Sequence, residues 1–402
     1  MHARTALLGW SLEAMEACHK HGRPFIAVVP PEFGPYMEEH KLAYEPWDFS
    51  KLNERSTELY ERLEERGVQF AVPLYEETVE WSGALNARFQ SNPRLFNRSL
   101  LFRDKAMMKR KAQIHGLKVG VFEEVENKDD VRKFLKRVNA ALLKLDEEPS
   151  DPVHVKPFAA AGTVGHRVIR TEADIDKIPD DQFPLLAESN LAGQEFSCEA
   201  FVHGGKIKFL NITEYVRLGH SNFIPASPEL EEYRPKIVEA MEELIEAFGV
   251  ENGFLHPEWF ISKNGNVKFG EVAARVPGGH IFDLIERAYG FSAYYAMVLA
   301  SDPDTEQAAF DELFPQPVTG AEGHAGCLMI YPRKQKIEKL DMPDELKNDD
   351  YFERHTLFEP AAGKVASREG FGNHYGTVFL FGQDPERMRT LLKRYEEHDF
   401  YV

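Results

Sequence analysis

The sequence predicts a multidomain protein that combines α/β and α+β architecture, and three observations carry that reading. Short apolar runs alternate with helical stretches through residues 1–101, the texture turns basic and helical near Leu101, and longer strand-like runs with hairpin turns follow from Val153 to Glu271. At 402 residues the chain exceeds one compact core of ordinary size. The divisions expected are 1–101, 102–315 and 316–402.

In the first division "TALLGW", "RPFIAVVPP" and "VQFAVPLY" read as strands. "STELYERLEERG" between them reads as a helix with Ser56 as its N-cap and Gly67 just past its end. Such β-α-β alternation favours an open, mostly parallel sheet, a Rossmann-like domain. The second division opens with "FRDKAMMKRKAQIHGLKVG", a basic helical stretch, and an acidic helix within "EVENKDDVRKFLKRVNAALLKL". Strands are expected at "PVHVKPF", "HRVIRT", "FPLLAES", "QEFSCEAFVHGGKIKFLNITEY" and "GFLHPEWFISKNGNVKFGEV". In "RPKIVEAMEELIEAFG" Ile237, Met241, Leu244, Ile245 and Phe248 share one helix face, and Gly249 ends it. The last division closes with a strand, "GTVFLFG", and a helix begun by Asp384-Pro385.

Composition narrows the function classes. A formal net charge of -18 opposes a phosphate polymer or an anionic membrane as partner, so an anionic ligand needs a local cluster of lysines, arginines and backbone N–H groups. The three cysteines, Cys18, Cys198 and Cys327, are unpaired in spacing and read as reduced thiols. The start lacks an apolar leader pattern and no run approaches ~18 apolar residues, which predicts a cytoplasmic protein.

Three stretches then carry chemistry. In "VHVKPFAAAGTVGHRVI" a strand presents Lys156, Pro157 stops it, and a small-residue loop reaches Gly162, Thr163 and Gly165. Small residues let backbone N–H groups approach an anion, and the lysine adds positive charge, so the stretch reads as a phosphate-covering hairpin or as a plain flexible one. "PLLAESNLAGQEFSCEAF" turns between strands from Glu188 to Glu195, where backbone groups can meet a purine edge and a carboxylate a ribose. "GFLHPEWFISKNGNVKFGEVAAR" reads as a hairpin turning at Asn264-Gly265, which brings Glu258 and Glu271 near each other across the ladder. Like charges so opposed call for compensation, either by water if both glutamates are exposed or by a divalent cation, for which hard oxygen ligands favour Mg²⁺.

Taken in order, with Asp104-Lys105 ahead of them and E-x-x-x-R-x-x-G-G after, these stretches resemble the ATP-grasp superfamily, most closely its carboxylate–amine ligase branch, which includes the L-amino acid ligases. The resemblance implies an ATP-grasp fold with an N-terminal pre-ATP-grasp domain, a mobile lid at about 115–187 and a C-terminal lobe that completes the ligase module. It implies ATP and Mg²⁺, or Mn²⁺, as cofactors, a carboxylic acid and an amine as substrates, and an acylphosphate between them. Lys105 and Lys156 match lysines that contact phosphates. Gly162, Thr163 and Gly165 match the glycine-rich loop over them. Glu188, Ser189 and Leu191 match the hinge that reads adenine, and Glu195 the ribose carboxylate. Glu258 and Glu271 match the metal ligands, and Arg275 with Gly278 the group that holds the acyl phosphate. The branch commonly forms dimers.

Two departures stand out. A third metal-site position, often Asn, is Ala273 here, which leaves the two glutamates and phosphate oxygens. Where amino acid ligases tend to carry a Glu near a Gly-His, this chain has Arg217 before Gly219-His220, which points to an acid with an extra carboxylate or without a free α-amine. His220, His256, Gly279 and His280 are further substrate-site candidates; His256 and His280 read at least equally as structural, and His220 is the better candidate. The competing readings are another acceptor on the same fold (a carrier-protein thiol, a purine-pathway amine, biotin) and a nucleotide-binding protein without turnover.

Overall fold

The computed structural model describes residues 4–145, 149–160, 162–314, 320–334, 336–359, 363–365 and 374–402. Strands β1 (Arg4–Leu8), β2 (Phe25–Val29), β3 (Tyr44–Pro46) and β4 (Val68–Pro73) form a parallel sheet in the order β3-β2-β1-β4. Its strands are apolar on both faces, Ala6 to Leu8 and Ile26 to Val29 all being fully buried, as a parallel sheet covered by helices requires. Ser56 is not the N-cap expected of it: the helix begins on Ser56 itself. The Asn53 side chain accepts from the N–H of Arg55 and the Asn53 carbonyl from that of Ser56, so the preceding turn does the capping.

A second, antiparallel sheet joins β5 (Phe122–Val125), β6 (Val153–Lys156), β7 (Arg167–Ile169) and β8 (Leu185–Ser189) in the order β5-β8-β6-β7. The helix Lys128–Lys144 covers it with Val131, Phe134, Val138 and Leu142, one face at helical spacing.

The third sheet has eight strands. β9 (Gln194–His203), β10 (Lys206–Arg217), β11 (Ser221–Ile224), β12 (Gly253–Ile261), β13 (Val267–Ala273), β14 (His324–Met329), β16 (Phe352–His355) and β18 (Thr377–Gly382) run in the order β13-β12-β9-β10-β11-β14-β18-β16. The short pair β15 (Lys336–Ile337) and β17 (Gly363–Lys364) stands apart. Strands on either side of residue 315 thus share one ladder system through the β11–β14 pairing.

Strand periodicity decides what each face does. On β9, Phe196, Cys198, Ala200 and Val202 pack with Ile237, Met241, Leu244, Ile245 and Phe248 of the helix Arg234–Phe248, which ends on left-handed Gly249. Glu195, Ser197, Glu199 and Phe201 alternate with them and point to the opposite face. There Phe201 joins a core that also holds Leu7, Phe70 and Val72 of the first sheet and Met297 of the helix Ala293–Ser301, which binds the N-terminal domain to the large sheet. The three cysteines are free and buried. No helix among the described residues is long and apolar enough to cross a membrane.

Candidate active site

A cleft between the β5–β8 sheet and the large sheet is lined by Lys105, Lys156, Thr163, Glu188, Ser189, Leu191, Glu195, Glu258 and Glu271. All nine come from positions singled out in the sequence.

Local structure explains each placement. Asp104 caps the helix Lys105–Ile114 by accepting from the N–H groups of Ala106 and Met107, and Lys105 is its first residue. Its Nζ donates to the Ala160 carbonyl at 2.7 Å and lies 3.6 Å from Glu271. Lys156 ends β6, and its Nζ lies 2.6 Å from Glu188 Oε1 and 3.4 Å from Glu271 Oε2. Gly193 precedes Glu195 with φ +132°, and a Cβ there would lie 2.1 Å from the Ile261 carbonyl oxygen, so only glycine lets the turn close against β12. Gly162, Thr163 and Gly165 all take left-handed backbone, at φ 61°, 63° and 73°.

Glu258 and Glu271 are direct partners across the β12–β13 ladder, with Ser197 beside Glu258 on β9. Counted evenly from the hairpin turn, Glu258 would instead face Gly270, and Glu271 would point away. A register shift between Glu258 and Trp259 corrects this by leaving Gly270 as the extra residue of a bulge. The residue must be glycine, because a Cβ would sit 2.8 Å from the Glu258 carbonyl oxygen.

Electrostatics divide the four glutamates into two pairs. Burial alone would raise the carboxyl pKa of Glu188, but Lys109 and Lys156 hold it well below the usual range. Burial likewise opposes ionisation of Glu271, yet Lys105, Lys156 and Lys109 bring it down to about 2. Glu258 and Glu195 are pushed up to about 7, by burial first and by the Glu271 charge second. The site thus holds two firm carboxylates and two that resist ionisation beside them.

Several residues here escaped the sequence reading. Lys109, 1% exposed, donates to the Gly270 carbonyl at 2.7 Å and lies 2.9 Å from Glu188 Oε2. It stands one turn after Lys105, and that i, i+4 spacing was the available signal. His154 Nε2 meets Asn190 Oδ1 at 3.1 Å, and its Nδ1 meets His166 Nε2 at 2.9 Å. An amide oxygen only accepts, so His154 carries its proton on Nε2 and His166 donates to Nδ1. Glu199, wholly buried under the cleft floor, accepts from Ser197, Asn211, Thr213 and His256.

Other expected residues are not part of this lining. Arg275 donates from Nε to Glu76 at 3.0 Å and from Nη1 to the Val276 carbonyl at 2.9 Å. Gly278 and Gly279 lead into the helix Ile281–Tyr289, and Asn222 donates to the Gly279 carbonyl. His280, at φ 54°, places Nδ1 against Asp283 and Nε2 against the buried Thr377 hydroxyl. His256 is tied to Glu199. Arg217 and His220 line a separate cleft with Tyr331, Arg333 and Glu397, and Arg217 lies 3.9 Å from Glu397, so the structure does not bring them to the lysine–glutamate cleft.

Among the described residues no group of three or more His, Cys, Asp or Glu side chains is gathered as a metal set. Glu258 and Glu271 nonetheless fit a hard divalent cation as two of its ligands: their like charges oppose each other, and a cation relieves what now keeps Glu258 from ionising.

Residues 160–283 match the family model of the ATP-grasp domain. The L-arginine-specific L-amino acid ligase of Bacillus subtilis is 24% identical over 62% of this chain, and the match spans 60% of that relative's length. Among solved structures, the L-amino acid ligase from Bacillus licheniformis superposes with a TM-score of 0.76 at 17% identity, covering 100% of this chain and 98% of its own. Phosphoribosylglycinamide synthetase from Anaerococcus prevotii follows at 0.70 and 15% identity, with both chains covered in full. N5-carboxyaminoimidazole ribonucleotide synthetase from Thermotoga maritima gives 0.68 and 17%, with 98% of each chain covered. The matched segment is similar to the ATP-grasp domain, it contributes Glu188, Glu195, Glu258 and Glu271 to the lysine–glutamate cleft, and the whole chain shares the fold of the L-amino acid ligase from Bacillus licheniformis.

Proposed function

We propose that the protein is an ATP-dependent carboxylate–amine ligase that forms an amide or peptide bond through an acylphosphate and releases ADP and phosphate. The observation that carries this reading is the meeting of Lys105, Lys156, Glu188, Glu195, Glu258 and Glu271 in one cleft, with Glu258 and Glu271 paired across a ladder. Two relatives named as L-amino acid ligases support amino acids as substrates.

In this mechanism Lys105 and Lys156 exchange their carboxylate partners for the phosphates of ATP, while Ser189 and Leu191 border the base and Glu195 the ribose. Glu258 and Glu271 would hold Mg²⁺ or Mn²⁺, which would supply Lewis-acid neutralisation of phosphate charge. The acid's carboxylate, guided by Arg275, attacks the γ-phosphorus in line, the bond to the β,γ-bridging oxygen breaks, and ADP is the leaving group. The loop of Gly162, Thr163 and Gly165 excludes water from the acylphosphate. A neutral amine then attacks the acyl carbon, Arg275 and the backbone at Gly278 stabilise the oxyanion, the nitrogen gives up a proton to water, and phosphate leaves as the carbonyl re-forms. The partners are small molecules in the cytoplasm, and a homodimer is the assembly that the resemblance suggests.

A screen of acid and amine pairs, read by ADP release and by the mass of the condensed product, tests the reading. A pair that releases ADP and phosphate in wild type and not in Glu271→Gln is the expected result. AMP with pyrophosphate, or nucleotide binding without release across the panel, overturns it.

A further inference from the structure

We propose that Glu76, on the loop after β4, is the positioning residue for Arg275, so that the N-terminal domain sets how the acid substrate is held. This rests on the ligase reading above. Arg275 follows β13 on a segment that leaves the ladder, and an unsupported arginine there would sample many rotamers. Glu76 removes that freedom: its Oε2 accepts from Arg275 Nε at 3.0 Å. Its Oε1 accepts from Arg103 Nη1 at 2.6 Å. A carboxylate whose two oxygens serve two guanidinium groups cannot turn without breaking one contact.

The loop is itself pinned. Thr78, fully buried, donates its hydroxyl to the Tyr75 carbonyl and accepts from the Tyr75 N–H, which brackets Glu76 in a tight turn. Arg103 is steadied by Glu80 at 3.5 Å. The Glu76, Arg103 and Arg275 side chains are only 13–17% exposed, so water screens the arrangement little. With Nε on Glu76 and Nη1 on the Val276 carbonyl, Arg275 is held at two donors and offers the remaining N–H groups to an acyl group.

A merely structural salt bridge would change stability and leave the kinetic constants in proportion. Aiming of Arg275 predicts a split. The full chain is compared as wild type, Glu76→Gln and Arg103→Met, with thermal melting, ADP affinity and steady-state ADP release against acid and against ATP. In Glu76→Gln, KM for the acid is expected to rise and its kcat/KM to fall at least tenfold, with ADP affinity and KM for ATP within twofold of wild type. Arg103→Met keeps the Glu76–Arg275 pair but loosens it, and a smaller loss in the same direction, about threefold, is expected; it decides the matter if Glu76→Gln does not fold. Acid kcat/KM within twofold of wild type in both variants, or parallel losses for acid and ATP, overturns the proposal while the ligase reading stands. Absence of acid-dependent ADP release in wild type overturns both.

Discussion

Lys109 Nζ holds the carbonyl of Gly270, the extra residue of the bulge that turns Glu271 toward Glu258. A bulge leaves a backbone group outside the ladder, and a buried carbonyl without a donor is costly. Lys109 satisfies it and, from the same ammonium, pairs with Glu188. Replacing Lys109 with Met removes both interactions. Glu188 keeps Lys156, so the expected loss is about 2–4 kcal/mol, at or below the range for breaking a buried pair. Urea unfolding measures it, and nucleotide affinity should fall in the same variant; an unchanged midpoint refutes the account.

Glu258→Gln should uncouple stability from activity. At pH 8 the nucleotide-free protein holds a Glu258 carboxylate that burial and Glu271 disfavour, the carboxyl being pushed up to about 7. A neutral amide relieves this, and because the residue is only partly buried the expected gain is modest, about 1 kcal/mol. Acid-dependent phosphate release should nevertheless drop about a hundredfold or more, since the proposed mechanism assigns Glu258 to the charge-neutralising cation. Thermal melting without nucleotide and a phosphate assay test the two halves separately.

How far these residues were legible in the sequence follows from the distance over which each is specified. Glu258 and Glu271 flank one hairpin, so the Asn264-Gly265 turn brings them together by counting, although the bulge that makes them true partners depends on Gly270 and is not visible as a period. Lys156, Glu188 and Glu195 are marked by strand ends and small-residue turns. Glu76 carries no comparable mark: it meets Arg275 across 199 residues, and the shared core of the first and third sheets brings the two together. Arg217 is similar, since Glu397, the acidic neighbour that stands 3.9 Å from it, comes from the far end of the chain.

Cation binding should depend on pH with a definite sign. Glu258 and Glu195, at about 7, are protonated below neutrality, and a cation must displace that proton from Glu258. Affinity for Mg²⁺ or Mn²⁺ should therefore rise as pH increases to about 7 and level off above it, with proton release on binding at pH 6.5. Calorimetry in two buffers of different ionisation enthalpy reads the proton count; a flat profile from pH 6 to 8 contradicts it.

The His154–His166–Asn190 chain should make the β6–β7 hairpin sensitive to acid. Burial first, then the neighbouring His154 and Lys156, bring His166 down to about 4, and burial lowers His154 as well. The folded protein thus refuses protons that the unfolded chain accepts below about pH 6.5. Stability is complete above that pH, declines as pH falls toward about 4, and is flat below; for His166 the span is at most about 3 kcal/mol. Glu195 and Glu258, raised rather than lowered, contribute the opposite slope between about 4.5 and 7, so the measurement is the difference between wild type and His166→Gln. That difference should shrink on acidification as wild type loses its advantage. Protonated His154 would turn an N–H toward the His166 N–H, so in hydrogen exchange the hairpin of β6 and β7 should open first. An unchanged difference from pH 7 to 4.5 would show that the pair carries no such strain.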